Sequence, residues 1–122
     1  MGKAAERVYD LEDRTFRFAE RVRDFVPGVE KTISNVEDLK QLARSSGSVG
    51  ANYIEANESL GKKDFLLHIR ISRKEAKESH YWLRLLRIPA GSPVDAARKA
   101  LVQEAWELML IFGAILRNSG GR

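Results

Sequence analysis

The sequence predicts an all-α protein: an antiparallel, up-down-up-down four-helix bundle that forms a single domain over residues 1–122. Three observations lead to this fold class. Four segments carry apolar residues at intervals of three and four, which is the spacing of one face of a helix. Short linkers with helix-stop and helix-start signals join these segments, which favours antiparallel neighbours. Strict apolar–polar alternation, the pattern of a half-buried strand, is almost absent.

The first helix is predicted over residues 10–26. Asp10 is expected to cap it, with Asp13 three residues later in a pair that resembles a capping box. Pro27-Gly28 is expected to end it, since proline lacks the backbone N–H that a helix needs. The apolar spacing places the predicted core face at Leu11, Phe18, Val22 and Phe25.

The second helix is predicted over residues 35–59, after a capping box in which Ser34 precedes Glu37 by three residues. Its middle contains Gly47 and Gly50, which on propensity alone argue for a break. The apolar face keeps its phase through them, so we expect one continuous helix whose small residues let another backbone approach closely. The predicted core face is Leu39, Leu42, Ser46, Val49, Tyr53, Ala56 and Leu60.

The third and fourth helices are predicted over residues 62–88 and 93–118. Pro89-Ala90-Gly91 is expected to stop the third helix. Ser92 is expected to cap the fourth, because serine is a favoured N-cap residue and Pro93 follows at the first helical position. The predicted core face of the third helix is Ile69, Ser72, Ala76, Ser79, Leu83 and Leu86. The predicted core face of the fourth is Leu101, Leu108, Phe112 and Ile115.

The fourth helix is more apolar than a four-helix bundle requires. Between residues 105 and 116 the only charged residue is Glu107. A helix that is apolar nearly all round is usually buried all round, so we expect a homo-oligomer. The alternative is a wide core face with a few exposed apolar residues. The candidate interface residues are Trp82, Trp106, Met109, Leu110 and Leu116.

The third helix also carries a row of basic residues beside its core face, at the same helical spacing. We call it the basic row, and it consists of Arg70, Arg73, Lys77, His80, Arg84 and Arg87. Residues 66–88 contain six Lys and Arg and two Glu, a net charge of +4, which equals the formal net charge of the whole chain. Such a row can contact phosphates of RNA or DNA. Alternatively it is a solvated helix face, or its arginines pair with glutamates of adjacent helices.

The composition excludes several kinds of site. The chain has no cysteine, so it offers no disulfide, no thiolate nucleophile and no zinc-thiolate site. His68 and His80, the only histidines, are twelve residues apart and too distant along one helix to share a metal ion. The sequence contains no phosphate-binding glycine loop and no nucleophile motif. We therefore expect a protein that is not an enzyme and holds no cofactor and no metal.

The chain is expected to be cytoplasmic, with no membrane partner. Its N-terminus lacks the apolar segment of a signal peptide. Its longest apolar run, residues 108–116, is too short to span a bilayer. The absence of cysteine is compatible with a reducing cytosol.

Four segments, taken in order, resemble a known bacterial family. They are Tyr9–Glu12, Ser48–Ala56, Lys62–Phe65 and Glu78–Leu86. The chain resembles, over about residues 9–117, the four-helix bundle proteins of the 23S rRNA intervening-sequence (S23) family. Relatives of that family include the accessory variability proteins of diversity-generating retroelements. At residues 53–55 the chain reads Tyr-Ile-Glu where many members read Ile-Ala-Glu, which indicates a subfamily.

The resemblance implies an assembly and partners that the residues themselves do not specify. It implies a short antiparallel bundle that assembles as a homopentamer ring. The retroelement relatives bind nucleic acid and a reverse transcriptase, so RNA or DNA and an element-encoded protein are implied as partners. The resemblance brings no catalytic residues.

These observations lead to two competing functions. The first is a non-enzymatic, oligomeric accessory protein that binds nucleic acid through the basic row. The second is a protein-interaction scaffold with no nucleic-acid role. A small-ligand site in the bundle core is a third reading, and no polar constellation supports it.

Overall fold

The computed structural model describes residues 3–120, and the side chains from residue 10 onward within that range. It contains four long helices: α1 Lys3–Phe25, α2 Ile33–Asn57, α3 Lys62–Leu85 and α4 Pro93–Asn118. A short 3₁₀ turn, Val26–Gly28, follows α1. No strand occurs among residues 3–120. The prediction of an all-α four-helix protein is confirmed.

The helices pack as a four-helix bundle. The α2–α3 and α3–α4 pairs are the most extensive, and α1 packs against α2 and α4. Contacts between α2 and α3 run in opposite sequence directions, as expected for antiparallel neighbours: Asn35 meets Arg87, Ser45 meets Ser79 and the Val49 carbonyl meets Ser72. No helix within residues 3–120 is long and apolar enough to cross a membrane.

The start of α1 differs from the prediction. The helix already begins at Lys3, so Asp10 lies inside it and is not an N-cap. The physical reason is local, because the residues before Asp10 include Ala4, Ala5 and Glu6, which are strong helix formers, and none of them breaks a helix. The predicted end was close, since α1 ends at Phe25 and the 3₁₀ turn takes up the proline.

The start of α2 also differs from the prediction. Thr32 is the N-cap, and its side-chain oxygen accepts a hydrogen bond from the Asn35 backbone N–H at 3.1 Å. Ser34 therefore lies within the helix, and the predicted capping box is wrong. At the other end α2 stops at Asn57, so Leu60 falls outside the helix and is fully exposed instead of buried.

The small residues in the middle of α2 behave as predicted. The helix runs without a break through Gly47 and Gly50. A Cβ atom on Gly50 would lie 2.9 Å from Thr15 Oγ1 and 3.2 Å from Thr15 Cβ. Glycine at this position therefore lets α1 approach α2 closely.

Helix α3 ends at Leu85, three residues earlier than predicted. The buried Asn35 side chain accepts a hydrogen bond from the Arg87 backbone N–H at 2.9 Å and donates one to the Arg87 carbonyl at 3.0 Å. Arg98 of α4 donates to the carbonyls of Leu83 and Leu86 at 3.3 and 3.1 Å. Side chains of α2 and α4 thus satisfy the backbone groups that a longer helix would use.

The start of α4 and most of the core are as predicted. The Ser92 hydroxyl accepts from the Asp95 backbone N–H at 3.1 Å, and α4 ends at Asn118. Of the predicted core faces, only Leu60 is exposed and only Ile115 is partly buried. The other members are buried, and most of them join one hydrophobic cluster.

We predict that Gly50→Ala destabilises the fold by about 1–3 kcal/mol, because its new methyl group would overlap Thr15. Gly47→Ala is the matched control three residues away. A Cβ there would meet only the tip of the flexible Arg23 side chain, at 3.3 Å. The control should therefore gain up to about 1 kcal/mol from helix propensity. Urea unfolding followed by circular dichroism measures both free energies. Equal stability of the two variants would contradict the close approach of α1 to Gly50.

Candidate nucleic-acid interface

The basic row lies on the side of α3 that borders α4. Five of its members are exposed, namely Arg70, Arg73, Lys77, Arg84 and Arg87, while His80 is partly buried. None of these five forms an ion pair with an acidic side chain that the structure describes. Within the described residues, their charge is therefore not used in salt bridges of the bundle.

The two glutamates of α3 lie toward α2. Arg44 of α2 contacts Glu75 Oε2 through Nη1 at 3.3 Å and Glu78 Oε1 through Nη2 at 3.3 Å. Glu75 is buried and Glu78 is partly buried. The arrangement segregates charge on α3, because both glutamates pair with Arg44 on one side while the cations of the basic row face solvent on the other.

Part of the basic row lines a shallow depression of about 380 Å³, which we call the basic depression. Its lining residues are Arg70, Arg73, Lys74, Lys77 and Leu116. Arg117 of α4 lies close to it, since a Cβ on Gly113 would be 3.4 Å from Arg117 Nη1 and 3.8 Å from Arg73 Nε. Gly113 therefore leaves room for guanidinium groups from both helices.

Sequence reasoning missed Lys74 and Arg117 as members of this site. Lys74 breaks the three-and-four spacing by following Arg73 directly, so periodicity did not select it. Arg117 lies in the last turn of a different helix, and only the packing of α3 against α4 brings it near Arg73. The net charge of residues 66–88 could have identified Lys74, because Lys74 is the one Lys or Arg of that segment outside the basic row.

The other end of the basic row borders a second depression, of about 600 Å³, at the end of α3. Arg84 and Arg87 line it together with Arg98 and Glu30. Arg98 is already held by the Asp95 carboxylate at 2.6 Å and by two backbone carbonyls. Arg84 and Arg87 are therefore the cations that this end offers to a ligand.

His80 stands apart from the other members of the row. Its ring lies 5.5 Å from the indole of Trp106 on α4, with the two planes inclined by 44°. Burial, together with the nearby positive charge of Arg84, lowers the pKa of His80 below its ordinary value of 6.5. The imidazole is therefore mainly neutral at pH 7, and it packs as an aromatic ring beside the cations.

The five candidate interface residues do not form one surface. Leu116, 2% exposed, lies in the core of the protomer, and this burial removes it from any contact with a neighbouring subunit. Trp82 and Met109 are partly buried against the same core. Trp106 and Leu110 are exposed, by 43% and 51%.

The sequence of α4 predicted one broad apolar interface, and the packing of this helix explains why the structure does not have it. Helix α4 contacts both α3 and α1, so its broad apolar surface is largely covered within one protomer. Trp82 follows Glu75 and Glu78 at helical spacing and so lies on the side of α3 toward α2. Trp106 lies on the opposite side, beside His80.

The outward side of α3 carries a second set of exposed apolar side chains. They are Leu67, Tyr81 and Leu85, exposed by 42–52%. The Tyr81 ring packs edge-on against Trp82 with a centroid distance of 5.0 Å. The Trp82 Nε1–H is buried and has no hydrogen-bond partner among the residues that the structure describes.

The remaining histidine has ordinary polar neighbours. His68 Nδ1 lies 3.2 Å from Asn52 Oδ1, and His68 Nε2 lies 3.5 Å from Asp64 Oδ1. Among the side chains that the structure describes, no three His, Asp or Glu residues are grouped so that they could hold a metal ion.

Comparison with models of protein families identifies one family. A family model described as 23S rRNA-intervening sequence protein matches residues 8–91, which include all of α2 and α3. A crystal structure of a protein of unknown function from the S23 ribosomal protein family of Bacteroides thetaiotaomicron superposes with a TM-score of 0.74. It is 24% identical and covers 90% of this chain and 97% of its own, a likeness that shows the fold. No curated protein matches the sequence.

We predict that Trp106→Ala raises the pKa of His80 toward 6.5, because loss of the indole exposes the imidazole to water. In the parent, the unfolded chain binds a proton at His80 before the folded protein does. His80 therefore reduces stability as the pH falls below about 6.5. An NMR titration of the imidazole resonances measures the pKa, with Leu110→Ala as a control on the same helix. An unchanged pKa in Trp106→Ala would contradict the packing of the two rings.

Proposed function

The chain belongs to the 23S rRNA-intervening sequence protein family, and we propose that it is a non-enzymatic, oligomeric accessory protein that binds the phosphate backbone of RNA or DNA through α3. The observation that carries the proposal is the segregation of charge on this helix. Arg44 engages the glutamates on one side, and the five exposed cations of the basic row stand on the other.

The basic row is suited to a polyanion in both length and charge. Residues 70 to 87 extend along α3 and the turn after it for about 25 Å at the rise of a helix. Like charges at this spacing repel one another, and a bound phosphate chain relieves that repulsion. Binding also releases the counterions condensed on the nucleic acid, which favours association at low salt.

The proposal assigns binding and no reaction. The basic row can position phosphates through charge and hydrogen bonds, which carry no sequence information by themselves. Its members include no hydroxyl or thiol nucleophile held by a general base, which acyl or phosphoryl transfer would need. We therefore expect affinity for nucleic acid with little preference among sequences.

Oligomerisation would strengthen such binding. A ring of subunits repeats one modest row of cations several times, and linked sites raise the overall affinity well above that of one site. The exposed apolar residue Leu110 supports an interface on α4. The number of subunits, five, rests on the family resemblance.

A protein-interaction scaffold is the second candidate function. The exposed apolar side chains Leu67, Tyr81 and Leu85 on the outward side of α3 favour it, because a partner protein could bury them. The family resemblance suggests an element-encoded protein such as a reverse transcriptase as that partner. This reading needs no contact between the basic row and a nucleic acid.

We predict that replacing Arg73, Lys77 and Arg84 together with Gln weakens binding to a mixed panel of RNA and DNA by at least about tenfold at low salt. The slope of log affinity against log salt should also become shallower by about two to three, because a variant that contacts fewer phosphates releases fewer counterions when it binds. Fluorescence anisotropy at several salt concentrations measures both quantities.

The matched control changes the same amount of charge elsewhere. Arg17, Arg21 and Lys40 are exposed on α1 and α2, and their replacement by Gln should leave both affinity and salt slope close to those of the parent. Circular dichroism should show unchanged helix content in both variants. If the α3 variant binds as well as the parent, the basic row is structural and the scaffold function replaces this proposal.

We also predict that light scattering at micromolar concentration gives several times the protomer mass of 13.8 kDa. Leu110→Glu should shift the mass toward that of one protomer, because an exposed apolar side chain at the interface becomes a buried charge. Leu60→Glu is the control, since Leu60 is fully exposed in the linker between α2 and α3. A parent that is a stable 13.8 kDa species would overturn the oligomer.

A further inference from the structure

We propose that the nucleic acid held by α3 is single-stranded, with its phosphates on the cations of the basic row and one base stacked on Trp106. The inference rests on the proposed function and adds the class of ligand. It comes from the order of side chains along the side of α3 that borders α4.

Two groups of cations flank an aromatic pair along this side of α3. The basic depression, with Arg70, Arg73, Lys74 and Lys77, lies toward the start of α3. Arg84 and Arg87 lie at its end. The ring of His80, between the two groups in sequence, contacts Trp106. Exposed cations therefore lie on both sides of this aromatic pair in the order of residues along α3.

This alternation matches the way in which proteins bind single strands. A positively charged groove follows the backbone, while aromatic side chains stack on bases whose faces are free. The two groups of cations are centred about 12 residues apart, or about 18 Å along the helix. That separation suits a short segment, comparable with the smallest known sites of about four nucleotides.

Trp106 is held in a way that suits stacking. It is 43% exposed, which is unusual for the largest apolar side chain, and it lies beside His80 of the basic row. The His80 ring supports it from within the protomer at 5.5 Å. A supported ring loses little freedom when a base stacks on it, so more of the contact energy appears as affinity.

A duplex could contact the cations of the basic row but could not use Trp106 as a stacking surface. Its bases are stacked on one another and present only their edges, so no base face is available to Trp106 unless a pair opens. The cations could still contact duplex phosphates. Trp106 is therefore the residue whose contribution separates single strands from duplexes.

Tryptophan fluorescence tests the proposal directly. The chain has two tryptophans, and Trp82→Phe leaves Trp106 as the only one. In that background, oligo(dT) and oligo(U) of twelve nucleotides should quench the emission of Trp106, whereas a blunt twelve-base-pair duplex should change it little. The DNA and RNA oligonucleotides distinguish the two sources of the strand.

Affinity measurements on Trp106 variants complete the test. Trp106→Ala should weaken binding of the single strands by about 5–150-fold, the range that loss of one stacked base produces. Duplex affinity should stay within about twofold, and Trp106→Phe should keep most of the single-strand affinity. Leu60→Ala is the control, because Leu60 is fully exposed in the linker between α2 and α3, away from both the basic row and the α4 interface.

The failures of the two proposals are distinguishable. If the triple Gln variant of the basic row loses affinity while Trp106→Ala binds single strands like the parent, the ligand class is wrong and the proposed function stands. If Trp106→Ala weakens single strands and duplexes equally, or if Trp106 is not quenched because a neighbouring subunit covers it, the stacking role is also wrong. If the parent binds neither ligand at low salt, both proposals fail.

Discussion

Helix α3 packs against both α2 and α4 through a face whose middle consists of small residues. Ser72 donates to the Val49 carbonyl at 2.9 Å, and the hydroxyls of Ser79 and Ser45 lie 2.8 Å apart, so the buried hydroxyls between α2 and α3 are satisfied across the helix pair. Ala76, also fully buried, completes this part of the face. Because small side chains let the helices come close, the long side chains of α3 are confined to its two flanks and its outward side.

The separation of charge follows from that packing. On the flank toward α2, Arg44 forms ion pairs with both Glu75 and Glu78. On the flank toward α4, Gly113, Leu116 and Arg117 lie near the basic depression. Glu30 lines the second depression with Arg84 and Arg87, but no described acid forms an ion pair with the cations of the basic row. The same helix therefore contributes to the stability of the bundle on one side and offers a charged surface on the other.

The sequence was sufficient for features that depend on local periodicity. The four helices, the continuity of α2 through Gly47 and Gly50, and the core face of α3 all follow from spacing along one helix. Helix ends were less predictable because remote groups compete for backbone atoms. Thr32 caps α2 instead of Ser34, and Asn35 and Arg98 take the carbonyls and N–H at the end of α3.

The candidate site also combines residues that follow from spacing within one helix with residues that depend on how helices pack. The basic row is a periodic feature of one helix, so the sequence was enough to identify it. Lys74 lies outside its spacing, and Arg117 and Trp106 join the site only because α4 packs beside α3. Leu116 was misplaced for the same reason, since the cover that α3 and α1 provide for α4 is not encoded in the pattern of α4 alone.

Lysine footprinting reports whether nucleic acid lies on the basic side of α3. Acetylation of each lysine is measured by mass spectrometry in the native protein, with and without a saturating twelve-nucleotide strand at low salt. The account predicts strong protection of Lys74 and Lys77, and none of Lys40, which is exposed on α2 and pairs with Glu37 at 3.5 Å. Equal reactivity of Lys74 and Lys77 with and without the strand, or protection centred on Lys40, would contradict it.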